Sequence, residues 1–96
     1  MIEQILQVLR PAEAWFWATY QGAELDLLFT HRGKRYGIEV KYSEAPRITR
    51  SSRVALDDLQ LEHLWVIYPG DRAFPVDEKI DVLPVSGIPA LKERFA

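Results

Sequence analysis

The sequence predicts an α/β domain in which helices pack on a mixed β-sheet. Two observations lead to this prediction. Segments whose apolar residues occupy alternate positions, as in strands, are interspersed with segments whose apolar residues recur with a helical period. The chain also has 96 residues, of which 48% are hydrophobic and 27% charged, and this size and balance are typical of one globular domain. We therefore expect residues 1–96 to form a single domain.

Composition narrows the classes of site that the chain can carry. It has no cysteine, which excludes disulfides and thiolate zinc sites. No stretch approaches the roughly 18 apolar residues of a membrane span, and the N-terminus lacks the features of a signal peptide, so we expect a cytoplasmic protein without a membrane partner. The formal net charge is −2, so a nucleic-acid site would have to depend on local positive charge.

Three segments have the features of helices. The first is predicted by four apolar residues at helical spacing: Ile2, Ile5, Leu6 and Leu9. The second is expected to begin at Thr49 or Ser51, either of which can cap a helix, and to end at Gln60. Residues 88–95 predict a short third helix. Helices of this kind bury one apolar face, so they indicate a layer packed against a sheet.

Five segments have the features of strands: residues 14–20, 23–31, 34–42, 63–68 and 80–85. In the second strand, Leu25, Leu27 and Phe29 occupy alternate positions and are expected to share one face. The fourth strand is apolar throughout, as expected of a strand covered on both faces. The order is therefore helix, three strands, helix, strand, strand. The connection through the second helix is expected to make the two strands that it joins parallel.

Charged residues concentrate on a hairpin around Arg32 and Gly33. A two- or four-residue loop pairs His31 with Lys34, and this register places Asp26 opposite Glu39, whereas a three-residue loop would shift the pairing. Opposed carboxylates destabilise a strand pair by about 0.2–1 kcal/mol. A conflict of this kind within an otherwise consistent hairpin is typical of a functional site.

A divalent cation would resolve the repulsion between Asp26 and Glu39. Carboxylate oxygens from adjacent strands can hold Mg²⁺, with water at its remaining positions. Lys41 lies on the same face as Glu39, where its ammonium group can orient a metal-bound water or stabilise charge on a phosphate. These parts suit metal-assisted hydrolysis of a phosphodiester. The alternative is structural: Glu24 and Lys41 form an ordinary ion pair, and the other two carboxylates face solvent.

Two short segments resemble a known family: GAELD at residues 22–26 and GIEVK at residues 37–41. Together they resemble the PD-(D/E)XK, or restriction-endonuclease-like, nuclease superfamily. More narrowly, they are similar to the uncharacterised C-terminal domain that follows the ATPase module in many prokaryotic AAA-type ATPases. The resemblance extends from Ile2 to Pro84, although Leu25 stands where the superfamily's name has a proline. It implies an α-β-β-β-α-β core with a mixed sheet flanked by helices.

The resemblance also implies roles for individual residues. Asp26, Glu39 and Lys41 match the catalytic positions, and Asp26 and Glu39 would bind Mg²⁺ or Mn²⁺. Glu3 matches the position of a helix glutamate that completes the metal site in many members. The implied activity is Mg²⁺-dependent cleavage of DNA, by a domain that is a fragment of a longer, ATPase-linked chain. The alternative is a catalytically inactive interaction module associated with an AAA-type ATPase.

Two further features bear on partners. Arg47, Arg50 and Arg53 are spaced by three residues, so on a helix they would share a face that can bind DNA phosphates. The alternative is an ordinary solvated face. Trp15 and Trp17 alternate with Phe16, which places large aromatic side chains on both faces of the first strand. In a chain of 11.1 kDa this predicts exposed apolar surface and a homo-oligomer or another partner.

Overall fold

The protein is built on a six-stranded mixed sheet with the strand order β1-β2-β3-β4-β6-β5. A computed structural model describes residues 2–10, 14–18, 24–43 and 46–95. The elements along the chain are α1 (Ile2–Leu9), β1 (Ala14–Ala18), β2 (Glu24–His31), β3 (Lys34–Val40), α2 (Arg50–Asp58), β4 (His63–Tyr68), β5 (Phe74–Asp77), β6 (Ile80–Pro84), a 3₁₀ turn (Val85–Gly87) and α3 (Ile88–Glu93). The predicted α/β class is confirmed. Residues 19–20 of the predicted first strand and residue 23 of the predicted second strand lie outside the described residues.

The central hairpin has the predicted register. β2 and β3 are antiparallel, and their pairs run from Leu27 opposite Ile38 to His31 opposite Lys34. The two-residue turn between them has positive φ at Arg32 (52°) and at Gly33 (81°). Two successive positive φ angles are what a type I′ turn requires, and this turn matches the twist of the flanking strands. The antiparallel pairing and the register of the hairpin are therefore confirmed from Leu27 to Lys34, whereas β3 ends at Val40 and not at the predicted residue 42.

A bulge interrupts β2 beside Asp26. On the β1 side, Trp15 pairs with Leu28 and Trp17 pairs with Leu25, with a register shift between the two pairs. One residue of β1 therefore faces two residues of β2. An extra residue of this kind bends the strand and changes which side chains share a face.

The bulge overturns one prediction about the second strand. Leu25 packs with Leu28 in the cluster beneath α2, while Leu27 and Phe29 lie in the opposite cluster. The expectation that Leu25 shares a face with Leu27 and Phe29 was wrong. Strict alternation holds only for a strand without an extra residue, and β2 has one beside Asp26.

The strands after α2 extend the sheet on its other side. β3 and β4 are parallel and joined through α2, which confirms the predicted crossover pairing. β4 and β6 are also parallel. β5 was not predicted, because Pro75 lies within it and its side chains are exposed. β5 is an edge strand, where a proline is tolerated since no further strand needs its missing N–H.

Helices cover both faces of the sheet. α1 and α3 pack on one face, where the buried side chains of the cluster are Ile5, Leu27, Phe29, Tyr36, Ile38, Trp65, Ile67, Ile88 and Leu91. α2 packs on the other face, over Leu25, Leu28, Leu61, Leu64, Val66, Tyr68, Ile80 and Val82. Ile5 is buried, and Leu6 and Leu9 pack against the first cluster, as predicted; the Ile2 side chain lies outside the described residues. Within the described ranges, no helix is long and apolar enough to span a bilayer.

A hydroxyl cap fixes where α2 begins. The Thr49 side chain accepts a hydrogen bond from the Ser52 backbone N–H at 3.3 Å, which satisfies one of the free donors of the first turn. Thr49 is therefore the cap, of the two residues that the sequence offered. The helix ends at Asp58 rather than at the predicted Gln60, which has a positive φ of 49°.

Candidate functional site

The candidate site lies at the C-terminal end of β3, on the face covered by α2. Glu39 is only 4% exposed although it carries a carboxyl group. The Ser52 hydroxyl, which α2 places over the strand, donates to Glu39 Oε2 at 3.0 Å. Lys41 follows the end of β3, and its Nζ lies 3.5 Å from the same oxygen. Glu39 Oε2 therefore accepts a hydrogen bond from Ser52 and lies next to the positive charge of Lys41.

The other oxygen of this carboxylate is buried without a partner. No residue in the described part of the chain hydrogen-bonds Glu39 Oε1, and this atom is inaccessible to solvent. Leaving a buried polar atom unpaired costs about 1–3 kcal/mol, and more when the group is charged. Glu39 Oε1 therefore keeps its lone pairs, with which a carboxylate oxygen can bind a proton donor or a cation.

Asp26 reaches the site from β2. Its Oδ2 accepts a hydrogen bond from the Val40 backbone N–H at 2.7 Å. The backbone ladder between β2 and β3 ends at the pair Leu27 and Ile38. Beyond that pair the Asp26 side chain, rather than the β2 backbone, accepts a hydrogen bond from β3, so the direct pairing of Asp26 with Glu39 stays a prediction. The bulge beside Asp26 is the local cause, because it moves the β2 backbone out of pairing geometry.

The electrostatics of Glu39 follow from its burial. Loss of solvation raises the pKa of the Glu39 carboxyl, and the negative charge of Asp26 adds to this rise. The Ser52 hydrogen bond and the Lys41 ammonium group oppose it, because both favour the ionised carboxylate. Two carboxylates whose charges act on each other, one of them poorly solvated, would both gain from a bound cation.

The donor set suits a hard divalent cation. Asp26 and Glu39 offer carboxylate oxygens, the ligands that Mg²⁺ and Mn²⁺ prefer, and Mg²⁺ commonly binds through only one or two protein carboxylates. Glu3 is exposed in the first turn of α1. Among the described residues there is no group of three or more Asp, Glu, His or Cys side chains able to hold one metal ion. Glu3 as a third ligand therefore stays a prediction.

The comparisons with known proteins identify the family. Residues 1–88 match the family described as Domain of unknown function (DUF4143). The chain belongs to this family. Two relatives are each 41% identical over 88 residues: Uncharacterized protein Mb2031c of Mycobacterium bovis and Uncharacterized protein Rv2008c of Mycobacterium tuberculosis. The match covers 92% of this chain but 20% of each relative, so the chain spans about a fifth of the length of the curated relatives that it matches. No solved structure matches the chain.

The three predicted phosphate-binding arginines of this DUF4143 domain do not share a helix face. α2 begins at Arg50, so Arg47 lies in the preceding loop, and that part of the prediction was wrong. The physical reason is the cap, because Arg47 precedes Thr49, at which the helical turns begin. Arg53 forms an exposed ion pair with Asp77 at 2.9 Å. Arg50 is exposed, and Arg47 borders a groove that the loop after β4 also lines.

Ser52, whose hydroxyl donates to Glu39, was not predicted as a site residue from the sequence. Ser52 is fully buried, and its hydroxyl also lies 3.2 Å from the Thr49 hydroxyl. One signal was present in the sequence: Ser52 is three residues after a helix cap, in the first turn of the helix that follows the Lys41 strand. The sequence does not show, however, which side of that turn faces Glu39, so the contact itself could not be predicted.

A second buried ionisable group lies apart from this site. His63 is 8% exposed, and its Nε2 lies 3.4 Å from Asp81 Oδ2. Its ring packs against Trp65, whose side chain belongs to the cluster beneath α1 and α3. Burial lowers the pKa of His63, while the neighbouring Asp81 carboxylate opposes this effect. We therefore expect His63 to affect the stability of the fold and not the chemistry of the Glu39 site.

Proposed function

We propose that this chain is a Mg²⁺- or Mn²⁺-dependent phosphodiesterase of the PD-(D/E)XK type that acts on DNA. The observation that carries the proposal is the state of Glu39. Its carboxylate is buried, held at Oε2 by Ser52 and Lys41, and free of partners at Oε1 among the described residues, with the charge of Asp26 acting on it. A purely structural carboxylate would be expected to satisfy both oxygens.

Each residue of the site has a distinct role in the proposed reaction. Asp26 and Glu39 would hold the cation, which would supply Lewis acidity for hydrolysis of the phosphodiester. Ser52 keeps Glu39 in one orientation. The Lys41 ammonium group stabilises negative charge that develops on the phosphate in the transition state. Burial of Glu39 strengthens the electrostatic interactions of its carboxylate, because the local dielectric constant is lower than that of water.

The arrangement of elements supports the finer fold assignment. The described order from α1 to β4 is helix, three strands, helix and a parallel strand, which agrees with the α-β-β-β-α-β core that the resemblance implies. The relatives are about five times longer than the matched segment, which leaves room for an ATPase module in a longer chain. We infer that this domain is one part of such a chain.

A cleavage assay tests the proposal directly. Supercoiled plasmid and single-stranded DNA are incubated with the chain and with Mg²⁺ or Mn²⁺, and nicking is followed on gels. We expect cleavage that requires metal and disappears in Asp26→Asn and Glu39→Gln. Asp58→Asn is the matched control, because Asp58 is an exposed carboxylate on α2 and its replacement should leave activity intact. Cleavage that persists in Asp26→Asn would contradict the assignment.

A second candidate function is a binding module without turnover. Strand β1 is an edge of the sheet, and it exposes Trp15 (46%) and Phe16 (64%). An edge strand has unpaired N–H and C=O groups on which another strand can pair. This observation favours a homodimer formed through β1, and light scattering of the wild type and of Phe16→Lys tests it. A monomer at high concentration in both would reject this role for β1.

A further inference from the structure

A large groove lies beside the candidate site. It has a volume of about 810 Å³ and is formed by the loop after β3, the loop after β4 and the start of β5. The residues that matter for its chemistry are Arg47, Tyr68, Asp71, Arg72 and Phe74. Its volume is within the range of about 300–1,000 Å³ that is typical of ligand sites.

The sheet register places this groove next to the proposed catalytic residues. Val40 pairs with Ile67 in the parallel β3–β4 ladder, and the Lys41 N–H donates to the Ile67 carbonyl at 2.8 Å. The next step of the ladder brings Lys41 alongside Tyr68, which lines the groove. Neighbouring strands are about 4.8 Å apart. Tyr68 also belongs to the cluster on the α2 face, the face from which Ser52 reaches Glu39.

The groove wall is held in shape by Tyr68. Its hydroxyl donates to the Arg72 carbonyl at 2.8 Å and accepts from the Arg72 N–H at 3.1 Å. Gly70 lies so close to the tyrosine ring that a Cβ at that position would overlap it. The loop between Tyr68 and Arg72 is therefore built around the ring, and the groove exists before any ligand binds.

The groove combines cationic and aromatic groups. Arg47 and Arg72 are exposed, and neither forms an ion pair with another residue in the ranges that the structure describes. Phe74 is 41% exposed. Asp71 adds one carboxylate, which can accept hydrogen bonds from the amino groups of a base. Arginines that bind phosphates next to an aromatic ring that stacks on a base are the common elements of single-strand binding sites.

We propose that the groove binds a single strand of nucleic acid, with phosphates at Arg47 and Arg72 and an unpaired base stacked on Phe74. The strand then continues past Tyr68 to Lys41. A duplex does not fit this chemistry, because its base faces are already stacked on one another. The inference rests on the proposed nuclease function and specifies its substrate as a single strand.

Fluorescence anisotropy with a labelled oligothymidylate, in EDTA to prevent cleavage, tests the groove. We expect Arg47→Gln with Arg72→Gln to weaken binding and to reduce the slope of log Kobs against log salt by about 0.7 for each phosphate that the variant no longer binds. Phe74→Ala should weaken binding of the single strand about fivefold or more and leave duplex binding unchanged. Lys34→Gln with Lys92→Gln removes the same charge from exposed positions outside the groove, and this control should leave the affinity within about twofold of the wild type.

The alternative outcomes separate the groove from the nuclease proposal. If the wild type binds the oligonucleotide and the groove variants match the control, the groove assignment is wrong while the catalytic assignment stands. If the wild type binds neither single strand nor duplex, and metal-dependent cleavage is also absent, both proposals fail. Equal binding of polyglutamate that depends on the same two arginines would reassign the groove to an acidic polypeptide. Thermal melting of each variant confirms that it folds.

Discussion

Ser52→Ala removes the hydrogen bond on which the Glu39 geometry depends, together with the contact between the Ser52 and Thr49 hydroxyls. Ser52 is fully buried and donates to Glu39 Oε2 at 3.0 Å. Alanine removes only the hydroxyl oxygen. Lys41 then remains the other partner of Oε2, at 3.5 Å, and its Nζ is partly solvated. The carboxylate would therefore be deprived of its shorter hydrogen bond without a large change in packing.

The expected cost follows from the charge of the acceptor. A hydrogen bond to a charged group contributes about 1.5–3 kcal/mol, and alanine returns about 0.5 kcal/mol through its higher helix propensity. The free energy of unfolding should therefore fall by about 1–2.5 kcal/mol near neutral pH. For a domain of this size each kcal/mol shifts Tm by about 4–8 °C, so the expected loss is about 4–20 °C.

The pH dependence gives the substitution its specific signature. Burial raises the pKa of Glu39 in the folded state, so the wild type loses stability as pH rises from the ordinary pKa of a glutamate to this raised value. Ser52→Ala removes an interaction that opposes the rise, so the loss at higher pH should deepen. At low pH both states are protonated and the variant should approach the wild type.

Thermal unfolding followed by circular dichroism across this pH range is the assay. Ser51→Ala is the matched control, since it is on the same helix and its hydroxyl accepts a hydrogen bond from the exposed Glu24 N–H at 3.0 Å. Its effect should be below about 1.5 kcal/mol and independent of pH. In a Glu39→Gln background the cost of Ser52→Ala should fall to about 0.5–1.5 kcal/mol, the value for neutral partners. Equal curves for Ser52→Ala and Ser51→Ala at every pH would refute the reasoning.

Three further predictions concern charge. Lys41→Ala should retain metal binding but lose DNA cleavage, because its proposed role is in the transition state; calorimetry and gels measure the two effects, and full activity would contradict it. Metal affinity should rise as pH increases through the raised pKa of Glu39, since the cation displaces a proton from the carboxyl group. A metal affinity that calorimetry finds to be independent of pH would argue against Glu39 as a ligand. Because burial lowers the pKa of His63, the free energy of unfolding should fall as pH drops from the ordinary pKa of histidine to the lowered pKa. His63→Gln should reduce this fall in thermal melts, and unchanged acid sensitivity of the variant would show that His63 is not the cause.

Most of the fold was predictable because local patterns and tertiary packing agree. The turn at Arg32 and Gly33 fixed the register of the central hairpin, and the apolar run of β4 indicated its central position. The bulge beside Asp26 was not predictable, because an extra residue leaves no mark on composition. β5 was missed because Pro75 argues against a strand unless its edge position is known.

The ionisable residues of the candidate site could be predicted from the sequence, but the residues that position them could not. Opposed carboxylates on a regular hairpin drew attention to Asp26 and Glu39, and the lysine two residues on completed the pattern. The hydrogen bond from Ser52 depends on how α2 lies across the sheet, and the groove at Tyr68 depends on a loop wrapped around one ring. Long-range placement of this kind has no signature within a single sequence.

Calorimetric titration of the chain with Mg²⁺ and Mn²⁺ tests the central claim most directly. We expect binding at millimolar metal or below, together with a metal-dependent rise in Tm, because the cation relieves repulsion only in the folded state. Asp26→Asn should abolish both effects yet leave the metal-free protein at least as stable, since the amide oxygen can still accept from the Val40 N–H. Asp58→Asn should bind metal as the wild type does. Absence of divalent binding at millimolar metal, or clear destabilisation of metal-free Asp26→Asn, would contradict the metal site and leave the binding-module function in its place.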